Sequence, residues 1–338
     1  MIALSKHLYI VDDIKWSIID AVVKKRTKES IFWVTEYYIS GYAKETWQLI
    51  WIIYSSFFFS KNIYYNKSIT KAYIKWQKTR DIAIVLEIIY KFNMCKVDCM
   101  FFKIFISKLK LKKIKKEIDD EYYTKTCISK KNIFVNLVKS LVHMNYKNVW
   151  FFLQYNYNKA LSIIQKFYKS TIKIVDLDIN DKHVQVLMFV YKQNNVEVKK
   201  RRFKIKLRKD LINYHKSLFD KIPIHKTLNK KRHFGIPKSI GCFDLNRFCY
   251  KQQDLREMYF YNWEYYANNC PLWSKRFAEY KVVFDENNKP KFPNDDMFEL
   301  FYSNYNLEPD EQTNETHNKS LIDIRKQTLN HWIQSIKN

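Results

Sequence analysis

Arg201, Arg202, Lys204, Lys206 and Arg208 crowd a stretch in which Phe203, Ile205 and Leu207 take the intervening positions. In an extended chain successive side chains point to opposite sides, so this spacing sets Arg202, Lys204, Lys206 and Arg208 against Phe203, Ile205 and Leu207. The chemistry such a row suits is phosphate binding, because each phosphate neutralised by Lys or Arg releases condensed counterions. Lys230, Lys231 and Arg232 continue the positive potential, and from Lys199 to Arg232 fourteen Lys or Arg stand against Asp210 and Asp220. Tyr191, Phe203, Tyr214 and Phe234 lie close by and offer rings on which unpaired bases stack. The expectation is a nucleic-acid site that favours RNA, since no helix-turn-helix, zinc-finger or homeodomain pattern points to duplex DNA.

Other chemistries fit less well. Asp176, Asp178 and Asp181 precede Glu197-Val198-Lys199, an order that resembles metal-dependent nucleases, in which carboxylates hold Mg²⁺ and the lysine assists the attacking water. These are common residue types at loose spacing in a lysine-rich chain, so no catalytic residue is assigned and a non-enzymatic protein is expected. Cys95 and Cys99 stand four apart without a nearby histidine pair, and Cys242 and Cys249 lack a second couple, so neither a metal nor a cofactor is expected. Three glycines (Gly41, Gly235 and Gly241) cannot build a phosphate loop or a dinucleotide fingerprint. A second basic run from Lys103 to Lys116 suits a helix C-terminus as well as it suits an anion. Trp263, Tyr265, Tyr266 and Trp273 surround Pro271 and form a candidate surface for a partner protein.

The elements that must position these residues are mostly helices. The first glycine is Gly41, all six prolines follow Lys221, and apolar faces recur at helical spacing: Ile14, Ile18, Ala21 and Val22; Trp47, Ile50, Trp51, Tyr54 and Phe58; Ile82, Val85, Leu86 and Ile89; Ile133, Leu137 and Leu141. Gly41 can take the left-handed conformation that ends a helix through Ile39, while Thr79 and Ser129 can cap later starts. Around Ser170 the pattern changes. Ile172, Ile174 and Leu177, then Val184, Val186, Met188 and Val190, then Phe203, Ile205 and Leu207 read as a three-stranded antiparallel meander with polar turns. A basic connector follows to Tyr250, then helical segments over Leu255 to Asn268 and Leu272 to Tyr280, an acidic stretch, and an amphipathic end from Leu321 to Ile336.

The fold expected is mainly α: an N-terminal antiparallel helical bundle or HEAT-like array, a small antiparallel β-meander, and a helical, loop-rich C-terminal part, α+β overall. The domains expected are residues 1–170, 171–250 and 251–338, with residues 285–323 acidic. The formal charge is +26, and part of that excess follows from a composition rich in Lys, Ile, Asn, Tyr and Phe, as A- and T-rich codons dictate. Its uneven placement is the informative part, because residues 285–323 hold ten acids against Lys289, Lys291 and Lys319. Met1 to Tyr9 lacks a secretory h-region, and the longest apolar run, Trp47 to Phe59, is too short to span a bilayer. A reducing, cytoplasmic setting is therefore expected, without a membrane.

Two stretches carry a resemblance. KESIFWVTEYYISGYAKETWQLIWIIYSSFF at Lys28 to Phe59, and NWEYYANNCPLWSKRF with FYSNYNLEPDEQ between Asn262 and Gln312, are similar to segments of uncharacterised proteins of giant, mimivirus-like DNA viruses. The resemblance implies a viral origin and a setting in the host cytoplasm or the viral factory. The helix pair in the first stretch also loosely resembles HEAT-type scaffolds of translation initiation, which implies viral or host gene-expression proteins as partners. Two readings of different class stand beside the RNA-binding scaffold: a virion structural or genome-packaging DNA-binding protein, and the metal-dependent nuclease.

Overall fold

The computed structural model describes residues 2–107, 133–174, 181–195, 213, 234–305 and 324–336. These residues are mainly helical, with a single two-stranded antiparallel sheet among them. The chain divides into two compact units, the first comprising residues 1–49, 72–94 and 205–338 and the second residues 50–71 and 95–204.

The first unit is built on α1 (Val11–Val23), α2 (Thr27–Ile39) and α5 (Ile82–Asn93), which pack on one another. Helix α2 is buried at every position from Glu29 to Tyr37, so it lies within the unit, with its polar residues Glu29, Ser30, Thr35 and Glu36 enclosed as well. It stops where expected: Gly41 adopts φ +100°, and a Cβ there would sit 2.7 Å from the Pro271 side chain. Helices α3 (Ala43–Ile53) and α4 (Tyr65–Thr79) each give this unit one end, where Tyr73 stacks on Trp76 and Trp47 meets both at an angle. The next start is capped by Asp81, whose side chain accepts from Ala83 N at 2.9 Å, while Thr79 accepts only from Asp81 N. The cap thus lies two residues beyond Thr79, because a carboxylate is the better acceptor at that end.

The C-terminal part of this unit holds α11 (Gln252–Tyr261), α12 (Trp263–Ala267), α13 (Pro271–Glu279), the hairpin β1 (Val283–Phe284)/β2 (Pro290–Lys291), α14 (Asp295–Tyr305) and α15 (Leu329–Ile336). Ile2, Leu4, Leu8 and Ile10 from the N-terminus enter the same core as Trp263, Trp273, Phe277 and Phe301.

The second unit takes the remaining ends of α3 and α4 with the π-helical turn Tyr54–Phe58 between them, and continues through α6 (Met100–Phe105), α7 (Ile133–Val142), α8 (Tyr146–Tyr155), α9 (Tyr157–Phe167) and α10 (Lys182–Asn194). Phe57 stacks on Phe102, and Tyr191 meets both Phe59 and Phe101 edge-on. Leu137, Leu141, Val149, Leu153, Ala160 and Ile164 line the buried sides of α7 to α9.

Helix α10 corrects the expected meander. Val184, Val186, Met188 and Val190 do alternate, but Leu187 and Tyr191 complete a helical face, and Asp181 caps the helix by accepting from His183 N (2.7 Å) and Val184 N (3.3 Å). A capped start with a buried face at helical spacing overrides the alternation. The first expected strand is non-regular over residues 171–174, and the third lies outside the described residues. No helix among the described residues is long and apolar enough to cross a membrane.

Candidate nucleic-acid interface

The second unit carries 27 Lys or Arg against 9 Asp or Glu, whereas the first, although larger, carries 33 against 25. Among the described residues of the second unit the contrast sharpens to thirteen lysines against Asp98 and Asp181. Eleven of those lysines are exposed, with Lys139 and Lys147 half-buried.

The helices explain how the lysines are held. On α9, Ala160 and Ile164 turn inward and Lys159, Ser162 and Lys166 turn outward; Lys169 and Lys173 follow just beyond its end. Asn156 caps this helix by accepting from Lys159 N at 3.2 Å. Several ammonium groups stand over aromatic rings: Lys159 Nζ lies 4.3 Å from the Phe134 centroid, Lys182 Nζ 4.7 Å from Tyr157, and Lys192 Nζ 5.8 Å from Tyr64. The ring faces hold the charged ends of these otherwise exposed side chains by cation–π attraction, and a phosphate must draw the ammonium groups from the rings or approach them from their open side.

Both described carboxylates of this unit are already engaged. Asp98 accepts from Ser60 Oγ at 2.8 Å and Met100 N at 2.9 Å and lies 3.8 Å from Lys61 Nζ. Asp181 is the α10 cap and also meets His183 Nδ1 at 3.0 Å. Two carboxylates cannot neutralise thirteen ammonium groups, so the surface potential is positive.

Of the site residues expected from sequence, Arg201, Arg202, Lys204, Lys206, Arg208, Lys230, Lys231 and Arg232 lie outside the described residues, as do Asp176, Asp178, Glu197 and Lys199. Lys103 is exposed on α6, and the rest of its basic run is again outside. Trp263 and Trp273 need correction. Both are fully buried, 5.4 Å apart edge-to-face, and Trp273 Nε1 donates to Ser5 O at 2.9 Å. They are core residues of the first unit, because two indoles bury more apolar area inside than a partner surface could offer them. Tyr265 and Tyr266 are half-buried and pack against each other, with Tyr265 also on Phe284. Among the described residues no three His, Cys, Asp or Glu side chains come together as a metal site.

The lysines of α9 and α10 were missed for want of a visible cluster. A signal was nevertheless present: residues 122–175 contain nine lysines and not one Asp or Glu. No family model, curated protein or solved structure matches this chain.

Proposed function

We propose that this protein is a non-enzymatic RNA-binding scaffold, in which the lysine-rich second unit grips the phosphate backbone and the first unit serves as a rigid body for partner proteins. The observation that carries the reading is the separation of charge between the two units. Thirteen lysines over two engaged carboxylates, interleaved with aromatic rings, make the combination that single-stranded nucleic acid selects. The process it serves, on the resemblance to viral proteins, is viral gene expression in the host cytoplasm, translation initiation ahead of transcription.

The test is fluorescence anisotropy of the full chain with labelled single-stranded RNA and with DNA of the same sequence over a salt series. Affinity should fall steeply with salt, and charge reversal of Lys159, Lys166, Lys169 and Lys173 should lower it by about tenfold or more at low salt without changing the far-UV spectrum. Reversal of Arg201, Arg202, Lys204 and Lys206 in a second variant should lower it further. Equal affinity of the first variant and the wild type would remove the α9 lysines from the interface, and equal affinity for DNA would move the reading to genome packaging.

A further inference from the structure

One cluster in the second unit has features that phosphate binding alone does not require. Tyr157, at the start of α9, and His183, in the first turn of α10, have ring centroids 4.8 Å apart at 65°, and Trp150 of α8 stands 6.4 Å from the same imidazole. All three rings are half-buried, so each keeps an accessible edge or face. The Asp181 carboxylate meets Nδ1 of His183; a carboxylate accepts, which favours the ring hydrogen at Nδ1 and leaves Nε2 as the acceptor in the neutral ring. Tyr157 Oη is shielded from solvent with no hydrogen-bond partner. Burial, and secondarily Asp181, hold its phenol above the ordinary range, so it meets a ligand as a hydroxyl donor. Besides the His183 ring, the Tyr157 ring carries the ammonium group of Lys182, an exposed residue whose side chain a ligand can displace. The amides of the α10 start are already taken by Asp181, so the helix N-terminus does not hold the ligand.

We infer that Trp150, Tyr157, Lys182 and His183 form a pocket for one unpaired nucleobase and its phosphate. This inference rests on the RNA-binding reading and deepens it from backbone neutralisation to capture of a splayed base. The base stacks over the Tyr157 ring in the place Lys182 now occupies. Tyr157 Oη, shielded while Lys182 lies over the ring, donates to a base carbonyl only once Lys182 has moved aside, and His183 Nε2 accepts from a base N–H. The displaced Lys182 ammonium turns to the phosphate. A duplex keeps its bases stacked and paired, so the pocket discriminates single strands from duplexes.

The experiment uses the full chain, a fluorescein-labelled oligouridylate and an RNA duplex of the same length, together with ultraviolet crosslinking of the oligouridylate to wild type and mass mapping of the adduct. The variant Tyr157→Phe/His183→Ala should bind oligouridylate about tenfold more weakly, the loss expected of one base contact, while duplex binding and its salt dependence stay unchanged. Lys182→Gln, at an exposed position, should weaken it several-fold. The wild-type crosslink should map to Trp150, Tyr157 or His183. If the double variant binds both probes as wild type does, the pocket is overturned and the RNA reading stands; if wild type binds neither probe, the RNA reading itself fails. Should the double variant fail to fold, a crosslink that maps away from these residues overturns the pocket on its own.

Discussion

Asp13, Asp20, Glu36 and Glu264, each at most 1% exposed, are carboxylates of the first unit, whereas the described carboxylates of the second are two and lie at or near its surface. These four are each built into the frame, whereas Glu87, equally buried, meets Lys91 of its own helix at 3.9 Å. Asp13 takes a fork of hydrogen bonds from Arg247, with Nε at 3.1 Å from both carboxylate oxygens and Nη2 on Oδ2. Asp20 gathers Lys24 Nζ (2.7 Å), Ser239 Oγ (2.9 Å), Trp332 Nε1 (2.6 Å) and the Arg26 guanidinium, and thereby fastens α1 to residues 239 and 332, far along the chain. Its charge, after burial itself, helps push the Cys242 thiol up to about 12, which leaves that thiol unreactive. At Glu36 burial alone would raise the carboxyl; the His7 ring, Ser5 Oγ at 2.5 Å and His7 N at 2.9 Å outweigh it and hold the group below its usual range. The first unit thus uses these four acids to hold distant segments together. The second is held by local caps and aromatic packing, and its cations stay available to a ligand.

The largest effect that would break this comparison is at Arg247. Arg247→Leu removes the charge that balances buried Asp13 and should destabilise the first unit by about 3–5 kcal/mol. Hydrogen exchange should report the loss in α1 and leave α8 and α9 protected. Equal loss of protection in both units would show that they do not differ in how they are held.

Glu264 comes next and sharpens the contrast by pH. Burial lifts its carboxyl to about 7, against a lowering by its own backbone amide, by Tyr302 Oη at 2.8 Å and by Lys289. A folded-state value above the unfolded one makes this contribution complete below pH 4.5 and lost as pH rises through about 7. Thermal unfolding should therefore show the first unit weakening from acid to mildly alkaline pH. Glu264→Gln should flatten that slope and recover roughly 3 kcal/mol at the alkaline end. A slope unchanged in the variant would assign it to another group.

Much of this division was legible in the sequence, and the failures have physical causes. Ile14, Ile18, Ala21 and Val22, and likewise Val85, Leu86 and Ile89, are buried as helical periodicity requires, because one stripe per helix faces the core. Gly41 ends α2 because an L side chain has no room beside Pro271. Alternation misled at Val184 to Val190, where too many consecutive positions are apolar for a period of two to be told from one of 3.6. Aromatic density around Pro271 misled because tryptophan suits both interfaces and cores, and only burial separates them. The α9 lysines escaped notice because the informative feature was the acids missing from residues 122–175, and no cationic run marked the place.

A smaller effect, of about 1 kcal/mol, is expected at Asn156, which ends α8 and caps α9. Asn156→Ala should lower protection of the α9 amides and leave α1 and α2 unchanged. If the loss reached the first unit, the second would not be held by local contacts.

The smallest effect asks why residues 122–175 of the second unit hold no acid. Asn158 is exposed in the first turn of α9, a turn with no acidic residue, and a carboxylate there meets the positive end of the helix dipole. Asn158→Glu should therefore stabilise α9 by about 0.5 kcal/mol, less at high salt. The same carboxylate would repel a phosphate backbone, so RNA affinity should fall while stability rises. Opposite signs for the two measurements mean that the acid-free surface serves the ligand at the expense of the fold. A loss of stability together with unchanged affinity would mean that the lysines are a solvated surface and that the charge separation between the units has no binding role.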